Sequence, residues 1–169
     1  MKSILLTLVI FVSLLATDTT MAQTIEIPKL PEGKEEFIQS EKDFKALAKW
    51  LETTALGTDT DNRTLVNAWV VTWVTNSPTV TVEIRSAIIK AFDKNAQMIA
   101  VFLGGYSSYS LENNYSKDEL KCNTAGLKAV INCYSLGGDL KKDKNLEKLI
   151  EKDKENKLEE WVKDAMSKK

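Results

Sequence analysis

The chain contains no histidine. That absence removes the commonest neutral-pH general base, the commonest metal ligand, and every catalytic triad or zinc motif built on imidazole. An excess of charge of either sign is also missing, since 23 Lys plus Arg stand against 24 Asp plus Glu for a net charge of -1. Without a basic field there is no electrostatic means of holding nucleic acid or an anionic membrane surface. Internal repeats and low-complexity tracts are absent as well. What is present, with 43% hydrophobic and 28% charged side chains in 169 residues, is the composition of a folded domain and not of a disordered chain.

The first segment reads as an export signal. Lys2 supplies a positive start, residues 4–16 form an apolar run broken by Thr7 and Ser13, and Thr20-Met21-Ala22 ends in a small residue suited to cleavage. A transmembrane anchor would need about 20 apolar residues, and Thr17, Asp18, Thr19 and Thr20 end this run early. Residues 1–22 are therefore expected to be a signal peptide, cleaved after Ala22, with no lipid-modified cysteine nearby and no second long apolar stretch. A periplasmic or secreted location follows. Removing 22 of 169 residues leaves 147, enough for one domain with a continuous core.

The mature chain divides at residue 40. Pro28, Pro31 and Gly33 among scattered charges predict a flexible, extended leader over 23–39. Beyond it, residues 40–169 read as a single all-α domain, a compact bundle of about five to seven helices. Ser40 and Asp43 resemble a capping box before Phe44, Leu47, Ala48 and Leu51, predicting a helix over 41–55 that Gly57 stops. Residues 65–74 are apolar on most faces, and Leu65, Trp69 and Trp73 form an i, i+4, i+8 row that predicts a buried helix. Residues 79–84 alternate like a strand but have no evident partner, so an extended link is expected there. Ile84, Ile88, Ile89 and Phe92 suggest a helix up to Asp93-Lys94-Asn95, and residues 96–111 a further core helix.

That core helix contains Gly104-Gly105, each glycine costing on the order of 1 kcal/mol relative to alanine. Close approach of a second helix would offset the cost. Ser116 with Glu119 predicts a capped helix from Lys117 to about Leu136, on which Cys122, Gly126, Ala129 and Cys133 form a ridge of small side chains. This ridge and the double glycine are the expected contact surfaces. The last 31 residues mix ten Lys with nine Asp plus Glu around the stripe Leu146, Leu149, Ile150, Leu158, Trp161, Val162 and Ala165. A short helix and a terminal helix should dock there, with Asp153–Lys157 and Glu159–Lys163 placed as i, i+4 pairs.

In an oxidising compartment two cysteines would by default pair. A continuous helix forbids it, because eleven residues of helix span roughly 16 Å whereas bonded cysteines hold their Cα atoms within about 7 Å. Free, buried thiols are expected, with a broken helix and a small disulfide loop as the alternative. No redox motif accompanies them, as Cys-x-x-Cys is missing. Asp59-Thr60-Asp61-Asn62 lacks the glycine and glutamate of a calcium loop. Glu83 and Glu112 could serve as a carboxylate pair, but no spacing rule brings them together. No catalytic, cofactor-binding or metal-binding residues are assigned.

Tyr106, Tyr109 and Tyr115 with Asn113 and Asn114 form the candidate contact surface, since tyrosine combines apolar area with a hydrogen-bonding tip. Core packing of Tyr106 and Tyr109 competes with that reading. Trp69, Trp73, Gly104 and Gly105 are the candidate lining of an apolar pocket.

Asn67-Ala68-Trp69 through Ser77-Pro78, Phe102-Leu103-Gly104-Gly105-Tyr106, and Asn114-Tyr115-Ser116-Lys117-Asp118-Glu119 resemble small exported helical proteins of unknown function from Bacteroidota. The resemblance covers about residues 40–165 and implies a fold and an address, with no activity, catalytic residue or ligand. A looser likeness to small periplasmic acid-stress chaperones is opposed by the close spacing of Cys122 and Cys133, because in that family the cysteines are far apart and bonded. The expected function is binding of another protein or a cell-envelope component, without catalysis. The alternative is a periplasmic carrier of a small apolar ligand.

Overall fold

The computed structural model describes residues 25–168; the expected signal peptide and its cleavage site lie outside them. Among the described residues the chain is all-α: α1 Lys34–Gln39, α2 Glu41–Thr53, α3 Thr60–Asn76, α4 Ser86–Ile89, α5 Ile99–Glu112, α6 Glu119–Ser135, α7 Lys144–Lys154 and α8 Leu158–Ser167. A 3-10 segment, Asp93–Met98, precedes α5. None of these helices is long and apolar enough to cross a membrane.

The described part of the expected leader is extended at first and then helical. Residues 25–33 lack helix and lie against the body, with Ile25, Ile27 and Leu30 packed on the core and Pro31 buried. Trp69 fixes them by donating its indole N–H to the Pro28 carbonyl at 3.0 Å. Residues 34–39 are helical because Phe37 finds a buried seat beside Trp73, 6.0 Å between ring centroids, which outweighs the local preference for coil.

Helix α5 is the centre of the bundle. Gly104 faces α2, where a Cβ would stand 2.9 Å from the Ala48 Cβ. Gly105 faces α6, where a Cβ would stand 2.6 Å from the Ala129 Cβ and 2.9 Å from the Ala125 carbonyl. The expected ridge does pack here: Gly126 lies under Phe102, with Cys122 and Cys133 fully buried on the same side of α6. Two helices thus approach α5 more closely than any larger residue permits, and the stronger dispersion attraction at that distance offsets the conformational cost of glycine.

Tertiary bonds overrule two expected capping boxes. Ser40 does precede α2, but its hydroxyl donates to the Phe37 carbonyl in the last turn of α1 and accepts the Trp73 indole N–H at 2.8 Å, so it makes no side-chain cap for α2. Asp118, not Ser116, caps α6, accepting the Lys121 N–H at 3.0 Å. In α3 the expected row also breaks, since Trp69 and Trp73 are buried whereas Leu65 is 58% exposed. The expected i, i+4 ion pairs of the C-terminal helices give way to longer-range ones: Lys128 reaches Asp153 at 3.5 Å and Lys121 reaches Glu159 at 2.7 Å, tying α7 and α8 onto α6.

The loops are pinned from the core. Asn95, fully buried, donates to the Lys141 carbonyl and accepts the Lys141 N–H, both at 2.9 Å. Gly138, at φ +98°, lies so close to the Leu56 carbonyl that a Cβ would overlap it at 1.9 Å. Arg63 is 5% exposed and closes the C-terminal end of α2, donating to the Leu51 and Thr54 carbonyls while its guanidinium lies 5.5 Å from the Trp50 ring.

Both thiols are free on an unbroken α6. Burial pushes the Cys122 thiol up to about 11, and burial also raises Cys133 despite the opposing influence of nearby Arg63. The folded state therefore favours the neutral thiol. The stability this contributes is full below about pH 8.5, where an unfolded thiol titrates, and is lost as pH rises toward 11. Ellman titration at about pH 8 should find no fast-reacting thiol in the native protein and two in denaturant. Fast native reaction would mean that α6 opens.

Candidate functional site

The small residues that seat α2 and α6 on α5 also leave a surface groove of about 470 Å³ above them. Its floor is Ala48, Gly104, Gly105, Ala125 and Ala129, and its rim is Lys45, Lys49, Glu52, Glu112, Lys128 and Asn132. Most of the rim's polar groups engage one another, whereas Lys128 pairs with Asp153 of α7. Lys49 lies 3.1 Å from Glu52, Asn132 donates its amide to Glu52 at 2.6 Å, and Lys45 stands 4.0 Å from Glu112. Glu112 is thus a groove residue, whereas Glu83 is an exposed residue of the segment before α4, so the carboxylate pair considered from sequence belongs to two different surroundings.

Tyr109 lines the groove at the end where α5 turns into α6. The turn holds two consecutive non-glycine residues in the left-handed region, Asn114 at φ 56° and Tyr115 at φ 57°. Such a conformation costs roughly 1–3 kcal/mol per residue and persists only where the surroundings impose it. Here they do. The Ser116 N–H donates to the Ser110 carbonyl at 3.0 Å, the Ser110 hydroxyl donates to the Ser116 carbonyl at 2.9 Å, and the Asn113 N–H reaches the Tyr109 carbonyl at 3.1 Å. Tyr115 is displayed by this frame at 45% exposure, its phenol donating to Glu41 on α2 at 3.3 Å. The nearby Glu41 carboxylate raises the pKa of the Tyr115 phenol above its ordinary value.

The candidate contact residues therefore divide. Tyr109, half-buried on α5, lines the groove, and the exposed Asn113, Asn114 and Tyr115 form the turn that follows α5. Tyr106 belongs to the core at 2% exposure: its ring lies 6.2 Å from Phe102, and its phenol accepts the Glu83 N–H at 3.3 Å. Burial raises its pKa as well.

The four residues expected to line an apolar pocket lie in two different surroundings. Trp73 stacks on Phe44 at 4.1 Å and Trp69 lies 6.5 Å from the same ring, so both indoles face α2 and the chain ahead of it. Gly104 and Gly105 face Ala48 and Ala129 instead. None of the described clefts is lined by members of both sets. The groove rim escaped the sequence reading because Lys49, Lys128 and Asn132 lie on helices that converge only through the glycine contacts.

The fold and site define a class, an all-α bundle with a charged interhelical groove ending at a rigid tyrosine turn. The chain matches no protein-family model, and comparison with curated proteins and with solved structures found no match.

Proposed function

We propose that this chain is an exported, non-enzymatic binding module that engages another protein or a cell-envelope component through the α5–α6 turn and the adjoining groove. The observation that carries the reading is the pair of left-handed residues that present Tyr115. Backbone strain held in place by surrounding bonds marks functional surfaces, and a rigid exposed tyrosine supplies contact area at low entropic cost. Charged groups on the groove rim suit it to a polar partner surface. The export signal at residues 1–22 and the resemblance to small exported Bacteroidota proteins support an address in the periplasm or outside the cell.

The test uses the tagged chain expressed in its own host. Tyr109→Ala combined with Tyr115→Ala should lower capture of the partner by roughly tenfold or more while changing the melting temperature by no more than about 3 °C. Lys163→Ala, on the exposed side of α8, serves as control. Equal capture by all three chains would overturn the assignment of the turn. Intact mass of the exported chain should begin at Gln23, and retention of Met1 would overturn export by cleavage.

A further inference from the structure

Each carboxylate of α7 has a cation beside it. Glu147 lies 3.7 Å from Lys142, Glu151 lies 2.9 Å from Lys154, and Asp153 lies 3.5 Å from Lys128 of α6. Lys148 and Lys152 are left over, and among the described residues neither enters an ion pair. They stand four residues apart, hence about one turn apart on the same face of α7, where like charges repel.

That face borders a notch of about 250 Å³ between α4, α7 and α8. Lys148 and Lys152 line it together with Asn145 of α7 and Lys90, the residue that ends α4 and likewise forms no ion pair among the described residues. Its floor is apolar, with Ala91 and Leu149 buried and Ala87 and Trp161 half-buried. No aspartate or glutamate lines it. The notch shares no residue with the interhelical groove or the tyrosine turn.

Three unpaired ammonium groups over an apolar floor are complementary to a molecule with a multiply charged anionic head and a compact apolar body. The absence of arginine selects the head. A planar carboxylate is matched best by the bidentate guanidinium fork, whereas separate ammonium groups act as point charges suited to the divergent oxygens of a phosphate. A phosphomonoester also carries close to two negative charges at neutral pH, enough to offset the repulsion between Lys148 and Lys152. The volume limits the body, because it falls below the roughly 300 Å³ at which pockets for drug-sized ligands begin. A ring or a short branched chain fits. With a net charge of -1 the whole chain offers an anionic membrane no general attraction, so the head belongs to a soluble molecule.

We propose that the notch between α4, α7 and α8 binds a small soluble phosphomonoester with an apolar body, its phosphate held by Lys90, Lys148 and Lys152 and its body laid on Leu149 and Trp161. This site stands whether or not the tyrosine turn binds a partner.

The probe is phenyl phosphate, titrated into the purified chain and followed by nuclear magnetic resonance. It should bind with a dissociation constant below about 1 mM and shift the Trp161 indole signal, which Trp161→Phe identifies. Inorganic phosphate, benzyl alcohol and benzoate test the head alone, the body alone and a planar monoanion, and each should bind at least roughly tenfold more weakly. Lys148→Gln combined with Lys152→Gln should weaken phenyl phosphate by roughly tenfold or more, with the melting temperature held within about 3 °C. Lys90→Glu, on a different element, should abolish binding, and Lys163→Gln should leave it unchanged. Raising the salt to about 0.5 M should weaken it severalfold. A dissociation constant above about 1 mM, or binding indifferent to the three lysines, would overturn the site. Equal binding of benzoate would overturn the choice of phosphate. Capture of anionic phospholipid vesicles that depends on Lys148 and Lys152, without binding of phenyl phosphate, would overturn the soluble ligand in favour of a lipid headgroup.

Discussion

A Trp73→Ala chain is expected to lose about 4 kcal/mol of unfolding free energy. Trp73 is fully buried, stacks on Phe44 at 4.1 Å, approaches Phe37 at 6.0 Å and donates to Ser40 at 2.8 Å. Those contacts join α3 to α2 and to the short α1. Removing the indole therefore opens a cavity where three elements meet, and the flanking rings are too large to shift into it. Trp73→Phe separates the two contributions, because it keeps the stacking and loses the hydrogen bond, and should cost about 1–2 kcal/mol. Urea unfolding at unchanged m reads both. Equal losses would mean that the Ser40 bond, not the aromatic packing, holds α1 and α2 to α3.

Gly126→Leu should lower the melting temperature by roughly 5–10 °C. A Cβ at this position would meet the Phe102 ring at 2.8 Å and the Phe102 carbonyl at 2.9 Å. A ring can turn aside, but a backbone carbonyl inside α5 moves only with its helix. Gly126→Ala should show part of the same loss, and calorimetry distinguishes the two by size. An unchanged melting temperature in the leucine chain would mean that α5 and α6 can separate without cost, contrary to the contacts of Gly105 with Ala125 and Ala129.

The elements that could be read from the sequence are those whose apolar residues occupy one face. In α6 the period of Cys122, Gly126, Ala129 and Cys133 determined which side turns inward, and that side is buried. The rotation of α3 could not be read the same way, because it is apolar nearly all round and Leu65 is no less hydrophobic than the residues that are buried. Its orientation comes from the Trp69 bond to Pro28 and the Trp73 bond to Ser40, partners 41 and 33 residues away. Ser40 and Ser116 carried correct local signals for helix starts, yet other hydrogen bonds claimed their hydroxyls. For the site, Tyr115 was recognisable by type, whereas separating Tyr106 from Tyr109 required knowing which side of α5 the other helices cover.

The unbroken α6 also determines what happens after the chain unfolds in the presence of an oxidant. Folded, Cys122 and Cys133 are held apart by a rigid rod of roughly 16 Å, beyond the reach of a disulfide. Unfolded, they are eleven residues apart on a flexible chain and meet readily. The resulting ring cannot be straightened into α6, so a single excursion becomes a trap from which only reduction releases the molecule. Lifetime in such surroundings is then governed by how often the chain opens, not by how favourably it would refold.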